Sequence, residues 1–434
     1  MAADNRIRSL SFRKRFAFGI VTAAALVAAV ELISLAGLWA VDGKLAFEKL
    51  RDDQDRLAPA GETVDEESEV VHPYLGWVLN PHVHNARRSA KADSAEITVN
   101  EFGFATPVSP LQKRGPDRLI VGILGGSVAY FVATDGARAL AAKLLESPRY
   151  AGKEIVIVPL AVSSYKQPQQ LFVLTYLLAL GAEFDIVINV DGYNEVALYP
   201  AEDAKRDLFY AMPRGWYRYV QTIPDPVIAA NMFRLRGLRE SRRQWAAFFA
   251  GLPYRDSATL NLVWRCRDTA LLRAISNERI AVLTRGAKNS ARYVETGPEQ
   301  NFATEGQMFK ALVALWMRSS LQLQRLCSAN GIEYCHTLQP NQYLPESKPM
   351  GPAELDDAIY SDSEYGRAVA EAYPLLIRAG AELKKAGVHF LDLTQLFAGI
   401  SDPIYVDNCC HYNLRGNELV AATIAQEILR RPAP

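Results

Sequence analysis

Ser127, Ser164, Asn194 and His411, with Asp407 or Asn408 beside the histidine, are the groups in this sequence suited to attacking a carbonyl together. A serine hydroxyl is a poor nucleophile at neutral pH, so it needs an imidazole to take its proton and an acid to orient that imidazole. The oxyanion that forms needs N–H donors aimed at it. Ser127 ends the tripeptide Gly125-Gly126-Ser127, after the apolar run Arg118–Leu124 and ahead of a helix-like run starting at Val128. Its hydroxyl therefore falls at the carboxyl end of a strand and the positive end of a helix, where N–H groups stabilise developing negative charge. Ala161-Val-Ser-Ser164-Tyr165 is a small-residue turn whose backbone N–H groups can point at a ligand. Asp191-Gly192-Tyr193-Asn194-Glu195 offers a tight turn at Gly192 and an amide donor at Asn194. Val406-Asp-Asn-Cys-Cys-His411 precedes the last helix-like run.

These turns follow a regular alternation. Strand-like runs rich in Val, Ile and Leu cover Arg118–Leu124, Glu154–Leu160, Phe184–Val190, Ile332–Leu338 and Val388–Leu393. Helix-like runs cover Val128–Glu146, Gln167–Leu180, Glu305–Ala329, Tyr365–Ala386 and Leu414–Leu429. Short apolar runs alternating with longer amphipathic ones predict βαβ units and a parallel sheet buried on both faces. The expected fold is α/β: a three-layer α/β/α domain over 67–434 with a five-stranded parallel sheet. Right-handed crossovers bring the ends of the first three strands together. The alternation breaks over about 196–302, a basic and aromatic stretch read as a helical insertion.

Lys+Arg and Asp+Glu both count 48, and no basic stripe interleaves with aromatics, so nucleic-acid binding is not expected. The N-terminus is different. Arg6, Arg8, Arg13, Lys14 and Arg15 mark a basic segment, 1–15, ahead of an apolar stretch, 16–41, interrupted only by Glu31. That length exceeds the roughly 20 residues a spanning helix needs. The basic flank predicts a cytoplasmic N-terminus, with the rest of the chain across the membrane. A cleaved signal peptide is the rival reading. Residues 42–66, charged and irregular, read as a stalk. Cys327 and Cys335 flank a helix-to-strand turn and are candidates to pair, whereas Cys266, Cys409 and Cys410 read as free thiols.

The order Gly-x-Ser, small-residue turn, Gly-x-Asn, then an acid and a histidine before the last helix resembles the SGNH (GDSL-type) hydrolase superfamily over about residues 68–430. The flavodoxin-like sheet of that family is then expected here. The resemblance assigns Ser127 as nucleophile and His411 as base, with Ser127, Ser164 and Asn194 forming the oxyanion hole. Gly126 stands in place of the GDS aspartate, and Ser164 in place of a glycine. The family pattern Asp-x-x-His puts Asn408 where the acid belongs, with Asp407 one residue further back. A bulge at Cys409-Cys410 would aim Asp407 at the ring. His72-Pro-Tyr-Leu-Gly76, Asn100-Glu-Phe-Gly-Phe104 and Leu338-Gln-Pro-Asn-Gln342 also look like membrane-anchored bacterial members.

The resemblance implies a single-pass protein of the inner (cytoplasmic) membrane with a periplasmic serine esterase domain, acting on O-acylated envelope polysaccharide or lipid. An O-acyltransferase with the same site, or a non-catalytic scaffold subunit of an envelope assembly, is the alternative. No cofactor or metal is expected. Gly122-x-x-Gly-Gly-Ser127 lacks dinucleotide-loop spacing, and it lacks the second glycine of a nucleophile elbow. His82-Val-His84 has no carboxylate partners and reads as a solvated loop. His72, His336 and His389 read as structural. Taken alone, Ser127 is an ordinary helix N-cap; its weight comes from the company it keeps.

Overall fold

The computed structural model describes residues 11–42, 47–57, 68–82, 98–220, 226–251, 255–286 and 293–431. Arg6, Arg8, His84 and much of the expected stalk lie outside them. The chain divides into two compact units. One joins the N-terminal segment to residues 225–288; the other contains 67–224 and 289–434.

The larger unit is α/β. It opens with an antiparallel hairpin, β1 (Glu69–His72) and β2 (Gly76–Leu79). A five-stranded parallel sheet follows, built from β3 (Arg118–Gly125), β4 (Glu154–Pro159), β5 (Ile186–Asp191), β6 (Glu333–Leu338) and β7 (Phe390–Asp392). Their spatial order is β4-β3-β5-β6-β7. All of β5 is buried, as expected for an Ile/Val run in a sheet covered on both faces. From β3 the chain steps outward to β4, then returns past β3 to place β5 on its other side. A crevice opens where the direction of winding reverses, at the carboxyl ends of β3 and β5.

The sequence predicts one helix over Val128–Glu146, but two form: α3 (Ser127–Thr134) and α4 (Ala137–Leu145). The break at Gly136 lets the last helix pass, since a Cβ there would lie 2.7 Å from the Ala421 Cβ. Between and after the later strands run α5 (Gln169–Ala179), α6 (Tyr193–Leu198), α9 (Glu305–Ala329), α10 (Pro352–Ala358), α11 (Glu364–Lys385) and α12 (Leu414–Leu429). Thr304, Ser363 and Asn413 cap α9, α11 and α12 by accepting a backbone N–H through their side chains. Cys327 and Cys335 are buried and unpaired, so the candidate disulfide between them does not form.

The smaller unit contains α1 (Phe12–Asp42), α2 (Phe47–Leu57), α7 (Pro226–Ala250) and α8 (Ala258–Gly286). Leu38, Leu50, Phe249 and Trp264 form its core. By length and composition α1 is able to cross a membrane, a property that signal sequences share. Of the stretch read as one insertion, the long helices α7 and α8 fall in this unit. Residues 196–220 and 293–302 stay with the α/β unit.

Candidate active site

Ser127 is the first residue of α3, immediately after β3. The two glycines before it are required by close packing. Gly125 has φ +143°, and a Cβ on it would sit 2.1 Å from the Val190 carbonyl oxygen. A Cβ on Gly126 would sit 2.2 Å from the Asn194 amide nitrogen. The side chain missing at Gly126 is thus what allows the Asn194 amide to stand beside Ser127.

The Ser127 Oγ lies 2.7 Å from the Nε2 of His411. The other ring nitrogen, Nδ1, is hydrogen-bonded to the Asp407 carboxylate through Oδ2. Asp407 is therefore the residue that reaches the ring. Its second oxygen, Oδ1, accepts the backbone N–H groups of Cys409 at 3.0 Å, Cys410 at 3.2 Å and His411 at 3.3 Å. The extra residue between acid and base is absorbed by this turn wrapped around the carboxylate. The Asn408 side chain makes no hydrogen bond to the ring, and the Asn408 backbone carbonyl accepts the Tyr343 hydroxyl at 2.9 Å. Phe131 meets the His411 ring edge-on, with centroids 5.6 Å apart.

Burial alone would raise the Asp407 carboxyl. The His411 hydrogen bond and charge, with the Cys409 and His411 N–H groups, outweigh burial and hold it down at about 2. For His411 burial lowers the affinity for a proton, but the hydrogen bond to Asp407 and its charge raise it above the usual histidine value. The carboxylate is ionised at neutral pH and favours the imidazolium that a proton from Ser127 would create.

Donors for an oxyanion lie next to the hydroxyl. Among the described residues, neither the Ser127 nor the Ser164 backbone N–H is taken up by another group of the protein. Ser164 has φ +70°, the left-handed region that glycine adopts without strain. Its hydroxyl accepts from the Arg214 Nη1 at 2.5 Å. Arg214 is in turn fixed by two bonds to Glu202, at 2.7 and 2.6 Å, and Glu202 also accepts the Tyr365 hydroxyl. The Asn194 Nδ2 donates to the Tyr165 carbonyl at 2.8 Å, which sets the plane of the amide.

Asn194 stands on a rigid base. Gly192, at φ +127°, makes the turn after β5, and the Glu195 carboxylate accepts its N–H at 2.8 Å. Burial and the nearby Asp191 charge push Glu195 up to about 8. Asp191, fully buried, accepts the Trp316 indole N–H at 2.6 Å, the Asn189 amide at 2.6 Å and the Gln167 amide at 3.2 Å, and pairs with the His336 Nε2 at 2.8 Å. His336 is a framework residue. So is His72, whose Nδ1 accepts two backbone N–H groups, and His389 is buried beside Glu427.

The loop bearing the acid and base is held by residues whose role the sequence did not disclose. After β6, Gln342 donates to the Asp407 carbonyl at 3.0 Å, Tyr343 to the Asn408 carbonyl, and Asn341 to the Cys409 carbonyl at 3.4 Å. Three consecutive side chains hold three consecutive carbonyls. Just upstream, Glu354 accepts the N–H groups of Ile404 and Tyr405, both at 2.8 Å, and pairs with Lys348 at 2.6 Å. Both members of that pair are fully buried.

Ser127, Ser164, Asn194, Asp407 and His411 all line one cavity of about 630 Å³, with Phe131, Leu198, Arg214 and Tyr365 among the other walls. Cys409 also faces it; its Sγ lies 3.5 Å from that of Cys410. The two thiols and His411 are close enough to hold a soft metal ion, but His411 is already engaged by Asp407 and Ser127. Compared with known proteins, the chain matches no family model and no curated sequence.

Proposed function

We propose that this protein is a membrane-anchored, extracytoplasmic serine esterase or acyl hydrolase of the SGNH (GDSL-type) superfamily, with the three-layer flavodoxin-like fold of that family. The observation that carries the reading is the unbroken series Asp407–His411–Ser127, opening on a cavity beside Asn194 and the Ser164 turn. The strand order β4-β3-β5-β6-β7 agrees with the doubly wound 2-1-3-4-5 arrangement. In this reading Ser127 Oγ attacks the ester carbonyl carbon while His411 Nε2 takes its proton. The oxyanion is held by the Ser127 and Ser164 N–H groups and the Asn194 amide. Collapse of the intermediate expels the alkoxide, which receives the proton from His411 and leaves an acyl group on Ser127. His411 then deprotonates a water, which releases the acid and restores the serine.

O-acylated envelope polysaccharide or lipid is the substrate class that fits an anchored domain outside the cytoplasm. A cavity of about 630 Å³ accepts an acylated sugar unit. The test is a fluorophosphonate probe on the purified protein. Labelling is expected on Ser127, blocked by Ser127→Ala with no change in melting temperature, alongside hydrolysis of a short-chain aryl ester. A wild-type protein that takes no label would overturn the enzyme reading and favour a binding subunit.

A further inference from the structure

The apolar helix α1 changes character part-way along. Every residue from Phe12 to Val30 is exposed, whereas Ser34 and Leu38 are buried against the other helices of the smaller unit. The change occurs at Glu31. Its carboxylate accepts the Ser257 hydroxyl and the Ala258 backbone N–H, both at 2.6 Å, capping the N-terminus of α8. From there α8 runs beside α1 in the same direction. Thr259 Oγ1 donates to Ser34 Oγ at 3.0 Å, and Leu262 packs on Gly37.

We infer that the hydrocarbon-embedded part of α1 ends at the level of Glu31, and that α1 continues beyond the lipid as the central strut of a water-exposed four-helix platform on the membrane surface. The inference rests on the anchor reading above and fixes where the bilayer meets the protein. Charge on the neighbouring helices requires it. Arg51 and Asp55 of α2 pair with Asp256 at 2.8 Å and Arg255 at 2.9 Å, directly before the Ser257 that binds Glu31. Asp256 is 81% exposed and Asp55 55%. Were the bilayer to extend along α1 to Val41, these exposed ion pairs would lie within hydrocarbon. Charged groups are tolerated there only when buried in protein or facing a water-filled cavity. The polar interior agrees with a solvated bundle, since Gln54 donates to the Asn261 carbonyl oxygen at 3.2 Å, buried within the unit.

Length agrees as well. At 1.5 Å per residue, the uncharged run Phe16–Val30 extends about 22 Å, and the basic side chains ahead of it reach outward over the remainder of the roughly 30 Å of bilayer hydrocarbon. Arg13, Lys14 and Arg15 lie at its far end, where long basic side chains reach the headgroups. An apolar groove of about 360 Å³ between Leu26, Val27, Val30 and Leu260 opens beside Glu31, where lipid acyl chains meet the platform.

The experiment is nitroxide depth measurement on full-length protein in liposomes of phosphatidylethanolamine and phosphatidylglycerol. Cysteines are introduced one at a time at the exposed positions Val21, Ile33 and Ala36 in a Cys266→Ser background, and label on the background protein is subtracted. Relaxation by oxygen is expected to dominate at Val21, and relaxation by a water-soluble nickel chelate at Ala36, with Ile33 at the crossover. Oxygen dominance at Ala36 as strong as at Val21 would overturn the inference while leaving the anchor intact. Chelate dominance at Val21 would overturn both, because no part of α1 would then be in lipid. A melting temperature equal to that of the parent checks that each labelled protein is folded.

Discussion

Replacing Asp407 with Asn changes the imidazole tautomer and leaves the loop in place. The three backbone N–H groups bound to Asp407 Oδ1 find the same acceptor in an asparagine carbonyl oxygen, so the turn through Cys409 and Cys410 persists. The amide nitrogen then takes the position of Oδ2 and presents N–H groups to His411 Nδ1. Two donors cannot face each other. The ring moves its proton to Nε2, and that nitrogen can no longer accept from Ser127. In a serine protease with a buried acid this exchange lowers kcat by about 10⁴. The Asp407 side chain here is 37% exposed, so water replaces part of its effect, and a loss of about 10³ is expected. The assay is aryl-ester kcat, backed by the rate of fluorophosphonate labelling, which needs no knowledge of the natural substrate. The pH profile supplies a second readout. His411 must be neutral to act as base, so wild-type kcat/KM is expected to rise with pH through a pKa above the usual histidine value. Without the Asp407 hydrogen bond and charge, the main influences opposing burial are lost, and the residual activity of Asp407→Asn is expected to rise at lower pH. Asn408→Ala should cost less than tenfold, since its carbonyl still receives Tyr343. Equal losses for Asp407→Asn and Asn408→Ala, or an unchanged wild-type profile in Asp407→Asn, would refute this assignment.

Gly126→Ala is expected to lower kcat by about 10², because the new methyl displaces the Asn194 amide; kcat equal to wild type would remove Asn194 from the oxyanion site. Arg214→Met should reduce kcat with little change in KM by freeing the Ser164 hydroxyl, and adding Ser164→Gly should restore most of the loss, since glycine needs no such restraint at φ +70°. Strictly additive losses in that double mutant would show that Arg214 acts elsewhere. Lys348→Met leaves the Glu354 carboxylate buried without its partner, which costs about 3 kcal/mol. Denaturant unfolding measures that loss, and the double change Lys348→Met with Glu354→Gln should recover part of it.

The local pattern around Ser127 was legible because strand, turn and helix each leave a mark within a few residues. An Ile/Val run, two glycines and a helix start place a hydroxyl without any knowledge of distant packing. The same holds for Gly192 and Asn194. The choice between Asp407 and Asn408 was legible only as a preference for Asp407 through a bulge at Cys409-Cys410, not as a contact, because it depends on how a five-residue turn closes around one carboxylate oxygen. Nor was the work of Asn341, Gln342 and Tyr343 in holding that turn, since their partners are backbone carbonyls, which carry no sequence signal. Arg214 lies in a stretch without strand alternation, and only the Ser164 hydroxyl beside it marks its use. The break at Gly136 follows from contact with a helix that comes almost three hundred residues later in the chain. The apolar period of α1 likewise conceals its change of surroundings at Glu31, because residues on both sides of that point have similar side chains.

The larger unit contains a second series of hydroxyl, imidazole and carboxylate, and comparing the two shows what chemistry requires. Ser320 Oγ lies 2.7 Å from His336 Nδ1, and His336 Nε2 lies 2.8 Å from Asp191 Oδ1. All three residues are buried, and Asp191 is committed to Trp316, Asn189 and Gln167 as well. No substrate can reach Ser320, and a histidine held on both nitrogens by buried partners serves to fix β5 and β6 to α9. In the Ser127 series the order on the ring is reversed, with the acid on Nδ1 and the hydroxyl on Nε2, and the hydroxyl opens into a cavity. The buried series holds the sheet end from which Asn194 projects. His336→Ala should therefore lower stability and displace Asn194, while His411→Ala should leave stability intact and abolish turnover. If His336→Ala left both stability and kcat unchanged, the buried network would have no part in positioning the oxyanion amide.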